Sequence, residues 1–280
     1  MYITDQAIEN FIKEDVPYID LTTAILEIGA QEGRIQFISR EEAVLCGSEE
    51  VTRIFDKLNI KTKKCLPSGT LLKPNVPFIE GEGNAENLHM AWKVSLNILE
   101  YCSGIATKTK KLVDKAKEIN PNISIVTTRK SFPGTKELAI KSIISGGAYP
   151  HRIGLSETIL IFEQHINFIG GIDNLVNMIS KIKSSACEKK IIVEVESLDN
   201  ALKLCMAGVD GIQFDKIAPY DLKDYVSRIK NINPHITTIA AGGINENNIA
   251  DYAQTGVDAI ATTSVYFSKP IDMSAKIIKS

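Results

Sequence analysis

From Pro121 onward the chain repeats one unit, a short apolar strand, a polar or glycine-rich loop and a helix, and this repeat restricts the fold more than any other feature. It predicts strands over 123–127, 158–162, 190–195, 211–215, 236–240 and 258–262, with helices over 135–145, 171–184, 198–207, 219–229 and 245–255. Each strand-to-strand distance suits a βαβ crossover. Runs such as Ile191-Ile192-Val193 are apolar on both faces, as in strands of a parallel sheet covered on both sides. No Gly-x-Gly-x-x-Gly follows the first of these strands, which disfavours a dinucleotide-binding domain. An incomplete α/β barrel fits the pattern.

The first third is different. Thr4 or Asp5 can cap a helix over 4–13, residues 15–22 form an irregular connection, and Arg34–Ser39 alternates as a half-buried strand. A short strand at Ala43–Cys46, a helix over 49–58, a turn at 66–70 and an edge-type strand at Val76–Gly81, which tolerates Pro77, complete a small mixed α/β unit. Leu88, Trp92, Leu96, Leu99 and Cys102 then recur at helical spacing. Ser103-Gly104-Ile105-Ala106 is expected to interrupt this helix before a lysine-rich one resumes at Lys108, whose lysines read as a solvated face.

Charge narrows the function. A net charge of -2 and a pI of about 6.1 exclude a general affinity for nucleic acid, so any anion recognition must be local. No apolar run approaches the roughly 18 residues of a membrane span, and Met1–Asp5 lacks the pattern of a signal peptide, so a cytoplasmic protein is expected. Five cysteines with no Cys-x-x-Cys pair predict neither disulfides nor zinc; Cys102 and Cys205 fall on apolar helical faces as inert thiols.

In such barrels the active site gathers at the carboxyl ends of the strands. The first strand ends in Arg129 and Lys130 before Pro133-Gly134, and a second basic pair, His151 and Arg152, follows Gly146-Gly147. Further strand ends carry Phe162-Glu163, Glu194 with Glu196, Asp215, Ala241-Gly242-Gly243 and Thr262-Thr263-Ser264. A carboxylate in an apolar strand costs several kcal/mol to bury unless it meets a cation, a metal or a ligand, so Glu194 and Asp215 call for a partner. A salt bridge to Arg129 or Lys130 that merely closes the barrel is the plain alternative, and Glu196 is expected at the solvent-facing rim. Gly242-Gly243, followed by a helix beginning at Asn245, suits phosphate binding through backbone N–H groups. Cations for an anion, carboxylates for a metal or hydroxyls, and a phosphate cradle together suit a phosphorylated sugar with a divalent ion.

Thr128-Arg129-Lys130-Ser131-Phe132-Pro133-Gly134, Gly146-Gly147 with His151-Arg152-Ile153-Gly154-Leu155, Val193-Glu194-Val195-Glu196 and Ala241-Gly242-Gly243-Ile244 resemble the quinolinate phosphoribosyltransferase (nicotinate-nucleotide pyrophosphorylase) family. The likeness covers essentially the whole chain, and Ser131–Lys136 with Pro150–Thr158 resemble its ModD branch, named for an association with molybdenum transport. The resemblance implies an N-terminal α/β sandwich domain over 1–105, an open parallel α/β barrel over 106–265, and a C-terminal segment, 266–280, packing back on the first domain. It implies a homodimer with a shared active site, Mg²⁺ as cofactor, and transfer of ribose 5-phosphate from phosphoribosyl pyrophosphate to an aromatic acid or base with release of pyrophosphate. By the same resemblance Glu194, Asp215 and Lys130 are catalytic, with Glu194 and Asp215 holding Mg²⁺ directly or through water. Lys93, Arg129, His151, Arg152 and Phe162 contact the acceptor or pyrophosphate, and Ala241, Gly242, Gly243 and Thr263 surround the 5-phosphate.

Two positions depart from the family's pattern. Lys93 stands where the family has arginine and Phe162 where it has lysine. A lysine cannot grip a carboxylate bidentately and a phenyl ring carries no charge, so an acceptor less acidic than quinolinate is expected. The other readings are an ordinary quinolinate phosphoribosyltransferase of NAD biosynthesis and a non-catalytic protein that binds a phosphorylated metabolite.

Overall fold

The computed structural model of the chain describes residues 2–280, so Met1 lies outside the described residues. In chain order the elements begin with α1 (Asp5–Asp15), capped by the Thr4 hydroxyl, which accepts a hydrogen bond from the Ala7 N–H, and α2 (Leu21–Ile25). They continue with β1 (Glu32–Ser39), β2 (Ala43–Val44), α3 (Ser48–Lys57), β3 (Lys61–Cys65), β4 (Leu71–Leu72) and β5 (Pro77–Asn84). The helix α4 (Ala85–Ile119) leads to β6 (Ser124–Thr127), α5 (Lys136–Ser145), β7 (Tyr149–Pro150), β8 (Ile159–Ile161), α6 (Glu163–Phe168) and α7 (Ile172–Ser185). Three strand–helix pairs follow: β9 (Ile191–Val195) with α8 (Leu198–Ala207), β10 (Gly211–Asp215) with α9 (Pro219–Ile232), and β11 (Thr237–Ala241) with α10 (Ile249–Ala253). The chain closes with β12 (Ala259–Thr262), a 3-10 turn at Ser264–Phe267 and β13 (Met273–Lys279). Among the described residues no helix is long and apolar enough to cross a membrane.

Contacts divide the chain into two units. The first comprises residues up to 110, 132–147 and 266–280. Its sheet is antiparallel in the order β13-β1-β5-β3, and its core includes Phe37, Phe55, Phe78, Leu88 and Leu99, all fully buried. Each such side chain adds about 1.5–3 kcal/mol when withdrawn from water. The strand carrying Pro77 is central, not an edge: the proline is the first residue of β5, where the ladder does not need its missing N–H. The edges are β13 and β3, and the exposed lysines of β3, Lys-Thr-Lys-Lys-Cys, keep it from pairing further and hide it from apolar patterning.

The helix α4 runs unbroken through Ser103–Ala106, against expectation. A Cβ on Gly104 would collide with the Lys269 carbonyl oxygen, so this glycine serves close backbone approach and does not break the helix.

The second unit comprises residues 111–131 and 148–265. Seven parallel strands lie in the order β7-β6-β12-β11-β10-β9-β8, a curled, open half-barrel whose end strands, β7 and β8, pair on one side only. All six strands read from the sequence are present, and Tyr149-Pro150 adds a short seventh. Strand alternation points Val126, Leu160, Ile192, Ile239, Ala241, Ala259 and Ala261 into one cluster inside the half-barrel. Ile191, Val193, Ile212, Phe214 and Ile260 are buried as well.

The expected helix over 245–255 shrinks to the five residues of α10. The Asn248 Oδ1 accepts from the Asn245 N–H (2.8 Å) and the Asn245 Oδ1 from the Asn247 N–H (2.9 Å), and such side-chain turns compete with helical hydrogen bonding.

Candidate active site

Strand alternation also builds the site. Two residues beyond the apolar cluster, toward the carboxyl ends, the inward positions become Thr128 after Val126, Glu194 after Ile192 and Thr263 after Ala261. Phe162, two residues after Leu160, is the aromatic exception in this row. These residues line a cavity of about 750 Å³ with Arg129, Lys130, His151, Arg152, Gln213, Asp215, Lys216 and the Ala241–Asn245 turn.

Thus the structure brings together Glu194, Asp215, Lys130, Arg129, His151, Arg152, Phe162, Ala241, Gly242, Gly243 and Thr263. Lys93 is not among the lining residues. It sits exposed on the first unit's part of α4, its ammonium 4.7 Å from the centre of the Trp92 ring. Glu196 is exposed at the rim, as its place at the strand end suggested.

The cationic wall is short of counter-charge. Arg152 is only 8% exposed, yet its guanidinium donates one long hydrogen bond, 3.3 Å to the Thr158 carbonyl, and has no carboxylate within ion-pair distance among the described residues. Burial and then the nearby Arg129 charge push Arg152 below its ordinary value, with Glu157 opposing. Both ring nitrogens of His151 are buried without a hydrogen-bond partner. Its pKa is lowered first by burial and next by the Arg152 charge. A buried cation and two unpaired nitrogens are a cost that an anionic, hydrogen-bonding ligand would remove.

Phe162 shapes this wall. Its N–H donates to His165 Nδ1 (3.0 Å), the two rings stack at 5.9 Å, and the Arg152 guanidinium lies 5.9 Å from the phenyl centre. This is a flat contact for an aromatic ring beside a cation.

On the acidic wall, Gln213 faces Glu194 across the β9–β10 register and donates to its Oε2 at 2.5 Å. Burial raises the Glu194 pKa; the Gln213 hydrogen bond opposes, Asp215 and Glu196 add to the rise, and Lys130 lowers it. Asp215 Oδ2 is 3.2 Å from Lys216 Nζ. The plain alternative, a salt bridge from Arg129 or Lys130 to these carboxylates, is not formed among the described residues.

Near the phosphate-type turn, Gly242 (φ 89°) and Gly243 (φ 70°) adopt left-handed conformations. A Cβ at Gly243 would meet nothing within 4 Å, so a ligand can approach this backbone closely. Thr263 Oγ1 is 2.8 Å from Thr128 Oγ1, linking the turn's neighbour to the strand that delivers Arg129.

The described residues contain no group of three or more His, Cys, Asp or Glu side chains able to hold a metal. Glu194 and Asp215 therefore suit Mg²⁺ only in its usual mode, one or two carboxylates beside an ion that keeps waters and substrate phosphates.

Sequence reasoning missed Gln213 and Lys216. Gln213 had a usable signal: it lies two residues before Asp215 in an apolar strand, so both point to the same face. Lys216 had none, because its position depends on a left-handed backbone (φ 56°).

Over residues 105–276 the sequence matches the C-terminal domain of quinolinate phosphoribosyl transferase, and over residues 20–103 the N-terminal domain. A protein of Pasteurella multocida (strain Pm70) named as the pyrophosphorylase ModD is 31% identical over 279 residues, spanning 100% of this chain and 99% of its own. A protein of Methanocaldococcus jannaschii named as a carboxylating nicotinate-nucleotide pyrophosphorylase is 32% identical over 278 residues, covering 96% of this chain and 95% of its own. Among solved structures, the nicotinate-nucleotide pyrophosphorylase from Francisella tularensis matches with a TM-score of 0.88 at 26% identity, covering 99% of this chain and 98% of that one.

Proposed function

The chain belongs to the quinolinate phosphoribosyl transferase family, on its ModD branch, and from that premise we propose a Mg²⁺-dependent transfer of ribose 5-phosphate from phosphoribosyl pyrophosphate to an aromatic acceptor less acidic than quinolinate. The observation that carries this reading is the cavity's division into a carboxylate wall, Glu194 and Asp215, and a cationic wall in which buried Arg152 faces the Phe162 ring. In the transfer, the bond from the anomeric carbon to pyrophosphate breaks and one to an acceptor ring atom forms. Glu194 and Asp215 stabilise the positive charge that develops at that carbon, where fixed charges act most strongly because they need no reorganisation. Lys130 and Arg129 receive the departing pyrophosphate, and the Ala241–Gly243 turn with Thr263 holds the 5-phosphate. Bound Mg²⁺ would neutralise the pyrophosphate, with Glu194 and Asp215 beside it through water.

On the acceptor side Arg152 holds one acidic group, His151 hydrogen-bonds the ring or its substituent, and Phe162 stacks on its face. A second adjacent carboxylate would meet Phe162 in place of a cation, which disfavours quinolinate. Two copies of the chain form the working enzyme, and Lys93 serves the cavity of the other copy.

Calorimetric titration with phosphoribosyl pyrophosphate tests the donor half: saturable binding that requires Mg²⁺ is expected, and no binding in its presence refutes the reading. A pyrophosphate-release screen over aromatic acids and bases then identifies the acceptor. Quinolinate as the best acceptor would return the chain to ordinary NAD biosynthesis.

A further inference from the structure

Lys216 lines the cavity, and the motifs quoted above give it no role. It follows Asp215 at the end of β10 in a left-handed conformation, φ 56°, which is costly for any residue with a Cβ and persists where the surroundings over-determine it. Two features hold it there. Its N–H donates to the Ala241 carbonyl at 2.9 Å. The Gly242 backbone packs against it so closely that a Cβ on Gly242 would stand 2.6 Å from Lys216 Cγ and N, and 2.7 Å from Asp215 Oδ1.

The side chain then lies along the acidic wall, Nζ 3.2 Å from Asp215 Oδ2, with the lysine side chain 74% exposed and the aspartate 19%. The bond to Asp215 raises the lysine's pKa, and the charges of Asp215, Glu196 and Glu194 add to it. A pair whose ammonium is this exposed contributes little to stability, so stability does not explain the strained backbone that fixes it. What the pair does is occupy a carboxylate that hard divalent cations would otherwise seek. The other carboxylate on this wall is also engaged, by the Gln213 amide.

We propose that Lys216 is a positioning residue that holds the Asp215 carboxylate and closes it to direct coordination by a divalent cation, so that Mg²⁺ enters the cavity on the donor's pyrophosphate and not on the free protein. The inference rests on the donor reading of the cavity, but its test uses no donor.

The probe is Mn²⁺, titrated into the free protein by calorimetry and by water-proton relaxation. Wild type is expected to bind it weakly. Lys216→Met should bind it about tenfold more tightly, because the positive charge that competes with Mn²⁺ for the half-buried Asp215 carboxylate is gone. Lys216→Arg keeps the cation and should behave as wild type, and adding Asp215→Asn to Lys216→Met should remove the gain. If the Met variant does not fold, Lys216→Gly, at ease in a left-handed backbone, is titrated in its place with the same expectation. Tight Mn²⁺ binding by wild type, no gain in the Lys216 variants, or a gain that survives Asp215→Asn overturns the proposal. Loss of donor binding in the separate titration with phosphoribosyl pyrophosphate would overturn the donor reading instead, so the two failures are distinguishable.

Discussion

Under the proposed function Glu194 carries two opposed demands. To stabilise a developing cation it must be ionised, yet burial, Asp215 and Glu196 all favour its neutral form. The Gln213 amide, on a side chain only 6% exposed, is the hydrogen bond that favours the carboxylate. With a folded pKa above the unfolded value, Glu194 contributes stability below the unfolded value and loses it as pH rises through the folded one. At neutral pH its charge is therefore a cost to the fold, consistent with a functional role. Activity should fall as pH drops through a pKa above the ordinary glutamate value of about 4.3. Gln213→Leu removes the opposing hydrogen bond, so the acid limb of the pH–rate profile for pyrophosphate release should move to higher pH while the alkaline limb stays. An unmoved acid limb would show that Glu194 is not the group being titrated. Charge made Glu194 and Asp215 legible in apolar strands, whereas neutral Gln213 obeyed the same strand logic without drawing notice.

Elements were legible wherever periodicity and packing agreed. Ser197 caps α8, its hydroxyl accepting from the Asn200 N–H (3.4 Å), and Gly208 (φ 87°) ends the helix, so its bounds follow from local chemistry. Tertiary contact overrode the local rule at Gly104. Glycine inside a helix ordinarily costs about 0.5–1 kcal/mol relative to alanine, so Gly104→Ala should stabilise if only propensity acted. Since the added Cβ would strike the Lys269 carbonyl, with Pro270 Cα at 3.3 Å, the substitution should instead destabilise by about 1–3 kcal/mol, as overpacking does. Urea denaturation followed by circular dichroism decides between them: a midpoint at or above that of wild type would mean that α4 shifts to relieve the contact.

At the scale of the whole chain, the sequence order hides the partition into units. The helix α5 falls where a barrel crossover is expected, but its contacts group it with the first unit, where Lys141 meets Glu49 at 2.7 Å and also pairs with Glu50. Hydrophobic periodicity reports that a helix has a buried face, not which sheet receives it. Lys93 poses the corresponding question between molecules. It is exposed on the first unit and lines no part of the cavity in the second, yet it stands where the sequence resemblance implies an acceptor-binding residue. In the proposed dimer both statements hold, because each copy lends its Lys93 to the other's cavity. Lys93→Ala and Glu194→Gln proteins should each lose pyrophosphate release with the acceptor that the screen identifies. Unfolding and refolding the two together should restore part of it, because a mixed dimer concentrates both defects in one cavity and leaves the other intact. If light scattering and mass spectrometry show mixed dimers that remain inactive, Lys93 does not complete a neighbouring site.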